Sequence, residues 1–171
     1  KINIYKSRFL DEFSPLRQVP TLIVEGKAIT DSDNICLYLD NLSNEKSLYP
    51  KDRYWDCMTM ISVTNGIMEN AVNRYIEMSA ISEVEQRKKA IERYEKKILR
   101  SINWIENKFE EIFSNEITMD QIAIACALDY TSFRYTSDWG IENPKLKAWL
   151  ENISENDFMK STKPGVSFKY E

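Results

Sequence analysis

Two short groups of residues near the start of the chain have the types and spacing to hold a peptide-like ligand: Val19-Pro20 and, eleven residues after the proline, Asp31-Ser32. Pro20 stands where a polar stretch enters the apolar run Thr21-Leu22-Ile23-Val24. Lacking an N–H, it belongs at the first residue of a strand or in a tight turn, and the bond before it is a candidate cis peptide. In that isomer the amide and carbonyl of Val19 turn outward, and an extended peptide can dock on them by main-chain hydrogen bonds as an added strand does. Asp31 and Ser32 lie where a helix begins, an end with unpaired N–H groups and a partial positive charge that suits a carboxylate. Ser32 offers its hydroxyl and amide to an anion, and Asp31 accepts from an ammonium group beside it. The pair fits an α-amino acid head group.

The elements that must position these residues follow from local pattern. Thr21-Leu22-Ile23-Val24 reads as a strand, Glu25-Gly26-Lys27 as a hairpin turn and Ala28-Ile29 as a short returning strand. Ile35, Leu37, Tyr38 and Leu39 then share one broad helical face, which puts Thr30 to Ser32 at the helix start. Residues 41–52 are polar and end Leu48-Tyr49-Pro50, as a linker would. From Arg53 onward the period is helical. A run from Trp55 to about Met78 carries Met58, Ile61, Ile67, Met68, Val72, Tyr75 and Ile76, and the next carries Ile91, Tyr94, Ile98, Ile102, Ile105, Phe109 and Ile112. Stripes at this spacing form a core or helix-pairing face. Thr118 with Gln121 three residues on reads as a capping box ahead of a small-residue helix bearing Ala123, Ala125, Cys126 and Ala127. Asn143 is expected to cap a further helix with Pro144 in its first turn.

Composition removes several function classes. The 171 residues are 43% apolar and 29% charged, enough for a sizeable core in one or two small domains. A formal charge of −4 gives no polyanion footprint, so nucleic acid is not an expected ligand. No apolar run approaches the ~18 residues of a membrane helix. No charged-then-apolar leader precedes the first element, and the expectation is a cytoplasmic protein. The absence of histidine excludes Ser-His-Asp and Cys-His catalysis and imidazole metal sites. Cys36, Cys57 and Cys126 are isolated, with no C-x-x-C, which argues against a disulfide framework, a zinc cluster or a dithiol centre. Each reads as a small core residue, and no metal is expected. Four glycines and no G-x-G-x-x-G or Walker pattern leave no phosphate loop.

The stretch from Ser14 to Asp40 resembles the second half of the thioredoxin-like domain of the glutathione S-transferases, whose pattern is approximately N-P-x-G-x-V-P followed by a D/E-S helix start. Thr118 to Tyr130, then Phe133-Arg134, Asn143 to Leu150, Phe158 and Ser161 to Pro164, continue the likeness through the helical domain of that family, so it covers nearly the whole chain. Arg17 stands in place of the usual glycine, Ser14 of the usual asparagine and Gln121 of the usual aspartate. By position, the resemblance implies that Val19 pairs with the cysteinyl backbone of glutathione, Pro20 is the cis-proline, and Asp31 and Ser32 hold the γ-glutamyl end. Gln18 matches a position that reaches the glycyl carboxylate.

The implied architecture is an incomplete α/β thioredoxin-like part at residues 1–40, a linker at 41–52 and an all-helical domain at 53–171. Residues 1–6 would be the second strand of such a domain. The expectation is therefore that its first βα unit, ~30 residues by the usual size of a crossover, and the catalytic Tyr, Ser or Cys it carries lie upstream of Lys1; Tyr5, Ser7 and Ser14 are poor substitutes. The implied activity is glutathione transfer by a cytoplasmic homodimer that directs the thiolate of glutathione, its co-substrate, at a small electrophile or a disulfide, as in detoxification. The alternative is a non-catalytic transferase-like module that serves as a protein-interaction platform.

Overall fold

Gly26 sets the turn of the hairpin. A computed structural model describes residues 8–79, 84–113, 116–135 and 138–163. Strand β1 (Thr21–Val24) pairs antiparallel with β2 (Lys27–Thr30), in the register Thr21–Thr30, Leu22–Ile29, Ile23–Ala28 and Val24–Lys27. The loop is two residues, Glu25 and Gly26, with φ of 49° and 76°. Two positive φ values are what a type I′ hairpin requires, so Lys27 joins the strand and the turn is tighter than Glu25-Gly26-Lys27. Helix α1 (Ser32–Leu42) packs on both strands with half-buried Ile35, Cys36, Leu37 and Tyr38, while Leu39 is exposed. The segment after α1 is tied back to it. Ser47 Oγ donates to Asp40 Oδ2 (2.6 Å) and the Leu48 N–H to Asp40 Oδ1 (2.8 Å).

The chain divides into two compact units between Leu48 and Tyr49, inside the 41–52 stretch. The second unit is helical: α2 (Tyr54–Met78), α3 (Glu85–Asn107), α4 (Phe109–Ile112), α5 (Met119–Arg134), α6 (Pro144–Ile153) and α7 (Asp157–Thr162). Helix α2 packs against both α3 and α5. Their shared core holds Ile67, Ile98, Ile102, Ile105, Ile124 and Leu128, all sealed from solvent, each contributing about 1.5–3 kcal/mol by burial. Ala127 lies in this core, and Ala125 in a second cluster with Ile153 and Met159 that Trp149 and Leu150 join to the first. None of the described helices is long and apolar enough to cross a membrane.

Four further sequence expectations are corrected. The buried face of α2 is Cys57, Met60, Ile61, Thr64, Ile67, Ala71 and Arg74, whereas Val72, Tyr75 and Ile76 face outward. The period holds, but small and polar residues occupy its inner positions. Arg74 is accommodated because its Nε donates to Glu95 Oε1 (2.7 Å), its Nη1 to the Arg134 carbonyl (3.3 Å), and its guanidinium stacks on Tyr135. The isoleucine stripe of α3 breaks at Lys108 (φ −101°, ψ 11°), leaving Phe109 and Ile112 on the separate turn α4. Asn107 Nδ2 donates back to the Asn103 carbonyl (2.9 Å) at this end, the side-chain competition that favours termination. Cys126 is exposed rather than core, flanked by buried Ala125 and Ala127.

The fourth correction concerns the caps. Thr118 is the residue before α5, but its side chain makes no cap bond. Its hydroxyl donates to Asp120 Oδ1 (2.6 Å) and accepts from Arg53 Nη2 (3.0 Å), while Arg53 Nη1 donates to Asp120 Oδ2 (2.6 Å). Gln121 Nε2 donates instead to the carbonyls of Ile112 and Glu116, both at 3.2 Å. A nearly buried Asp120 carboxylate outcompetes a backbone amide for the threonine hydroxyl, because bonds to charged groups are the stronger ones. Asn143 likewise precedes α6, with Pro144 in its first turn, without capping it; its Nδ2 donates to the Trp139 carbonyl (2.7 Å). The strand expected at residues 1–6 and the closing Pro164 lie outside the described residues.

Candidate functional site

The hairpin base and the start of α1 enclose an open cavity of about 350 Å³ lined by residues 14–16, 18–20 and 30–32. Gln18, Val19, Pro20, Asp31 and Ser32 are thereby brought to one place. The Val19–Pro20 peptide is cis and Val19 is 55% exposed. Among the described residues neither its N–H nor its C=O has a hydrogen-bond partner. Asp31 sits just before α1 with φ 75° and ψ 139°, its Oδ1 accepting from the Asp33 N–H (2.9 Å) and its carbonyl from the Ile35 N–H (3.1 Å). A side-chain cap plus one helical bond satisfies two of the first amides of α1. The Ser32 N–H and hydroxyl, exposed at the first helical position, have no partner among the described residues.

The arm carrying Gln18 and Val19 hangs from a short 3₁₀ turn, Phe9–Glu12, anchored by buried Leu10 and Ser14. The Ser14 N–H donates to the Leu10 carbonyl (2.7 Å), and the Arg17 N–H to the Ser14 carbonyl (2.9 Å). Arg17 has φ 51°. That left-handed conformation costs a residue with a side chain about 1–2 kcal/mol relative to glycine, which accounts for the glycine the pattern favours there. An ion pair from Arg17 Nε to Asp11 Oδ1 (2.9 Å) accompanies it on the surface.

Ser14, Pro15 and Leu16, from the stretch that leads into Val19-Pro20, and Thr30, at the end of β2 just before α1, also line the cavity. Ser14 is held there by the turn geometry of residues 9–17, its N–H donating to the Leu10 carbonyl and its carbonyl accepting from the Arg17 N–H. No three His, Cys, Asp or Glu side chains gather as a metal-ligand set among the described residues. The thiols stand apart from this cavity. Burial, with the Asp33 charge second, pushes Cys36 up from its ordinary value, and burial first, with Asp120 second, pushes Cys57 up to about 11.

Exposed main-chain groups at Val19, an open helix start at Ser32 and a carboxylate at Asp31 are groups able to pair with an extended backbone, an anion and a cation in turn. Residues 3–42 match the N-terminal domain and residues 88–152 the C-terminal domain of the glutathione S-transferases. A curated Escherichia coli (strain K12) relative, the uncharacterised GST-like protein YibF, is 26% identical over 159 residues, 90% of this chain and 78% of that one. A glutathione transferase family member from Pseudomonas fluorescens Pf-5, solved with bound glutathione, is 28% identical with a TM-score of 0.85, covering 92% of this chain and 78% of that one. A second structure from that species, with bound S-(propanoic acid)-glutathione, is also 28% identical, with a TM-score of 0.82 over 89% of this chain and 79% of that one.

The architecture is that of a glutathione transferase, a thioredoxin-like N-terminal part followed by an all-helical C-terminal domain. The chain belongs to the glutathione S-transferase family.

Proposed function

We propose that this protein binds glutathione along Val19 and promotes attack of its thiolate on an electrophilic or disulfide substrate. The observation that carries the reading is the meeting, around one cavity, of the open Val19 backbone and the open start of α1 at Asp31-Ser32. The cysteinyl N–H and C=O pair with Val19. The γ-glutamyl carboxylate takes the Ser32 amide and hydroxyl at the positive end of α1, and the γ-glutamyl ammonium lies against Asp31. Gln18 reaches the glycyl carboxylate. A thiol held beside a polarising group loses its proton more readily, and each unit of lowered pKa raises the thiolate population about tenfold near neutral pH. The thiolate then forms a sulfur–carbon bond as the leaving group departs with its electron pair, or a sulfur–sulfur bond with release of the other thiol. That relatives were crystallised with glutathione and with an S-conjugate supports this class of chemistry.

The protein acts as a cytoplasmic homodimer in this reading. Three cysteines outside any disulfide suit a reducing compartment, and exposed Trp55, Val72, Ile76 and Met78 on α2 offer apolar area to a two-fold partner. No metal takes part.

The test is a calorimetric titration with glutathione. Ser32→Ala is expected to weaken binding by about 1.5–3 kcal/mol, the range for hydrogen bonds to a charged group. Equal affinity in both proteins would sink the assignment of the γ-glutamyl end.

A further inference from the structure

We infer that Thr21 and Asn34 are positioning residues for this site, each holding one of the two peptide planes that present it to ligand; the inference rests on the glutathione-binding reading above. The two arms of the cavity diverge from a single register pair, Thr21 opposite Thr30, the last of the ladder. Beyond that pair no strand pairing continues. Pro20 has no N–H to donate, and the chain turns away at Asp31 with φ 75°. The arms are held instead by two side chains at their roots. Thr21 Oγ1 donates to the Gln18 carbonyl (2.8 Å), and Asn34 Nδ2 donates to the Thr30 carbonyl (3.1 Å).

Peptide planarity turns these bonds into control of the ligand-facing groups. The Gln18 carbonyl and the Val19 N–H share one rigid plane, as do the Thr30 carbonyl and the Asp31 N–H. Holding the carbonyl oxygen therefore fixes the direction of the amide on the other side of the plane. At Val19 that amide is the donor offered to the cysteinyl carbonyl. At Asp31 it leads into the residue that caps α1 and sets the place of its carboxylate.

Both hydrogen bonds are exposed to solvent, where a contribution to fold stability is small. A purely structural role would show as a loss of stability in step with the loss of affinity, whereas a positioning role lowers affinity alone. Valine is at least as good a strand former as threonine, and alanine is a better helix former than asparagine. Thr21→Val and Asn34→Ala should then leave the protein as stable as before, or more so.

The experiment is glutathione titration calorimetry on the full chain and on Thr21→Val, Thr21→Ser and Asn34→Ala, with urea unfolding of each. Loss of one neutral hydrogen bond from a positioned peptide is expected to weaken binding roughly three- to tenfold in Thr21→Val and in Asn34→Ala. Thr21→Ser keeps the donor and should bind as the parent does. Thr21→Val and Asn34→Ala should unfold at the parental urea midpoint or above it. Thr21→Val binding as tightly as the parent, or Thr21→Ser failing to rescue, overturns the inference. So does a fall in midpoint that parallels the loss of affinity. A parent protein that does not bind glutathione at all overturns the proposed function itself.

Discussion

Glu106, on α3, caps the helix that contains Leu146. Its two carboxylate oxygens accept from the backbone N–H groups of Lys145 (3.1 Å) and Leu146 (2.9 Å) in the first turn of α6. Asn143 occupies the usual capping position but spends its amide on the Trp139 carbonyl, so a residue from another helix supplies the acceptors. A carboxylate at a helix N-terminus is also favoured by the peptide dipoles.

Removing that carboxylate should loosen α6 from the bundle. Glu106→Ala is expected to cost about 1–2 kcal/mol, the range for a lost cap, and Glu106→Gln less, since it keeps an acceptor. Asn143→Ala, by contrast, should leave α6 capped. Urea unfolding followed by circular dichroism checks the order, and an unchanged midpoint for Glu106→Ala would contradict the distant cap.

Arg53 and Asp120 form the second long-range tie, with Asp120 only 1% exposed. Removing one partner of a buried pair strands the other, at a cost of about 3–5 kcal/mol. Arg53→Met is expected near the lower end, because Thr118 still bonds Asp120 and Arg53 is partly open to water. Arg53→Met combined with Asp120→Leu should recover most of the loss. Thr118→Ala should cost more once Arg53 is gone, because its hydroxyl is then a remaining side-chain partner of Asp120, and a double-mutant cycle showing simple additivity would contradict that shared role.

The Cys57 thiol gives a pH signature. Its pKa is about 11, held up first by burial, whereas an unfolded thiol titrates near 8.5. The folded state therefore keeps a proton that the unfolded chain has lost. The stabilisation is fully present below the unfolded pKa and fades as pH rises toward 11, at up to about 1.4 kcal/mol per pH unit. Cys57→Ala should show a shallower decline between about pH 9 and 11. Thiol labelling at pH 8 should reach exposed Cys126 first and Cys57 only on unfolding. Equal slopes for parent and variant would show that Cys57 is not the protonated group.

Arg17→Gly should stabilise the hairpin unit. Relief of the left-handed conformation is about 1–2 kcal/mol. Against it stand an exposed ion pair to Asp11, worth little in water, and about 0.4–1 kcal/mol of extra unfolded-chain entropy. A net gain of roughly 0.5 kcal/mol is expected. A lower urea midpoint would place more weight on the Arg17 side chain than its geometry supports.

What could be read from residue type alone was local. Gly26 marked the hairpin, Asp31-Ser32 the start of α1 and Thr118 the start of α5, because each acts through a backbone conformation within a few residues of itself. Partner choice was illegible. Gln121, Asn143 and Glu106 each have an acceptor or donor that suits a local cap, and which backbone group it takes is settled only when α3, α5 and α6 pack. The outward turn of Val72, Tyr75 and Ile76 was hidden for a related reason. An apolar residue on the surface violates no rule, while buried Arg74 becomes tolerable only once Glu95 and Tyr135 are beside it.

The pairing of Thr21 with Thr30 also limits how the length of this region can vary. Eight residues separate the two threonines, six of them in strands and two in the turn. Adding one residue to each strand moves the tip outward and leaves the base pair, and both arms of the groove, where they are. Adding a single residue forces either a bulge or a slipped register, and a slip carries Asp31 and Ser32 away from Val19. Insertions tolerated here should therefore come in even numbers, or be confined to a widened loop at the tip. Parity of the gap, more than the identity of the residues filling it, is the constraint that the groove places on its own hairpin.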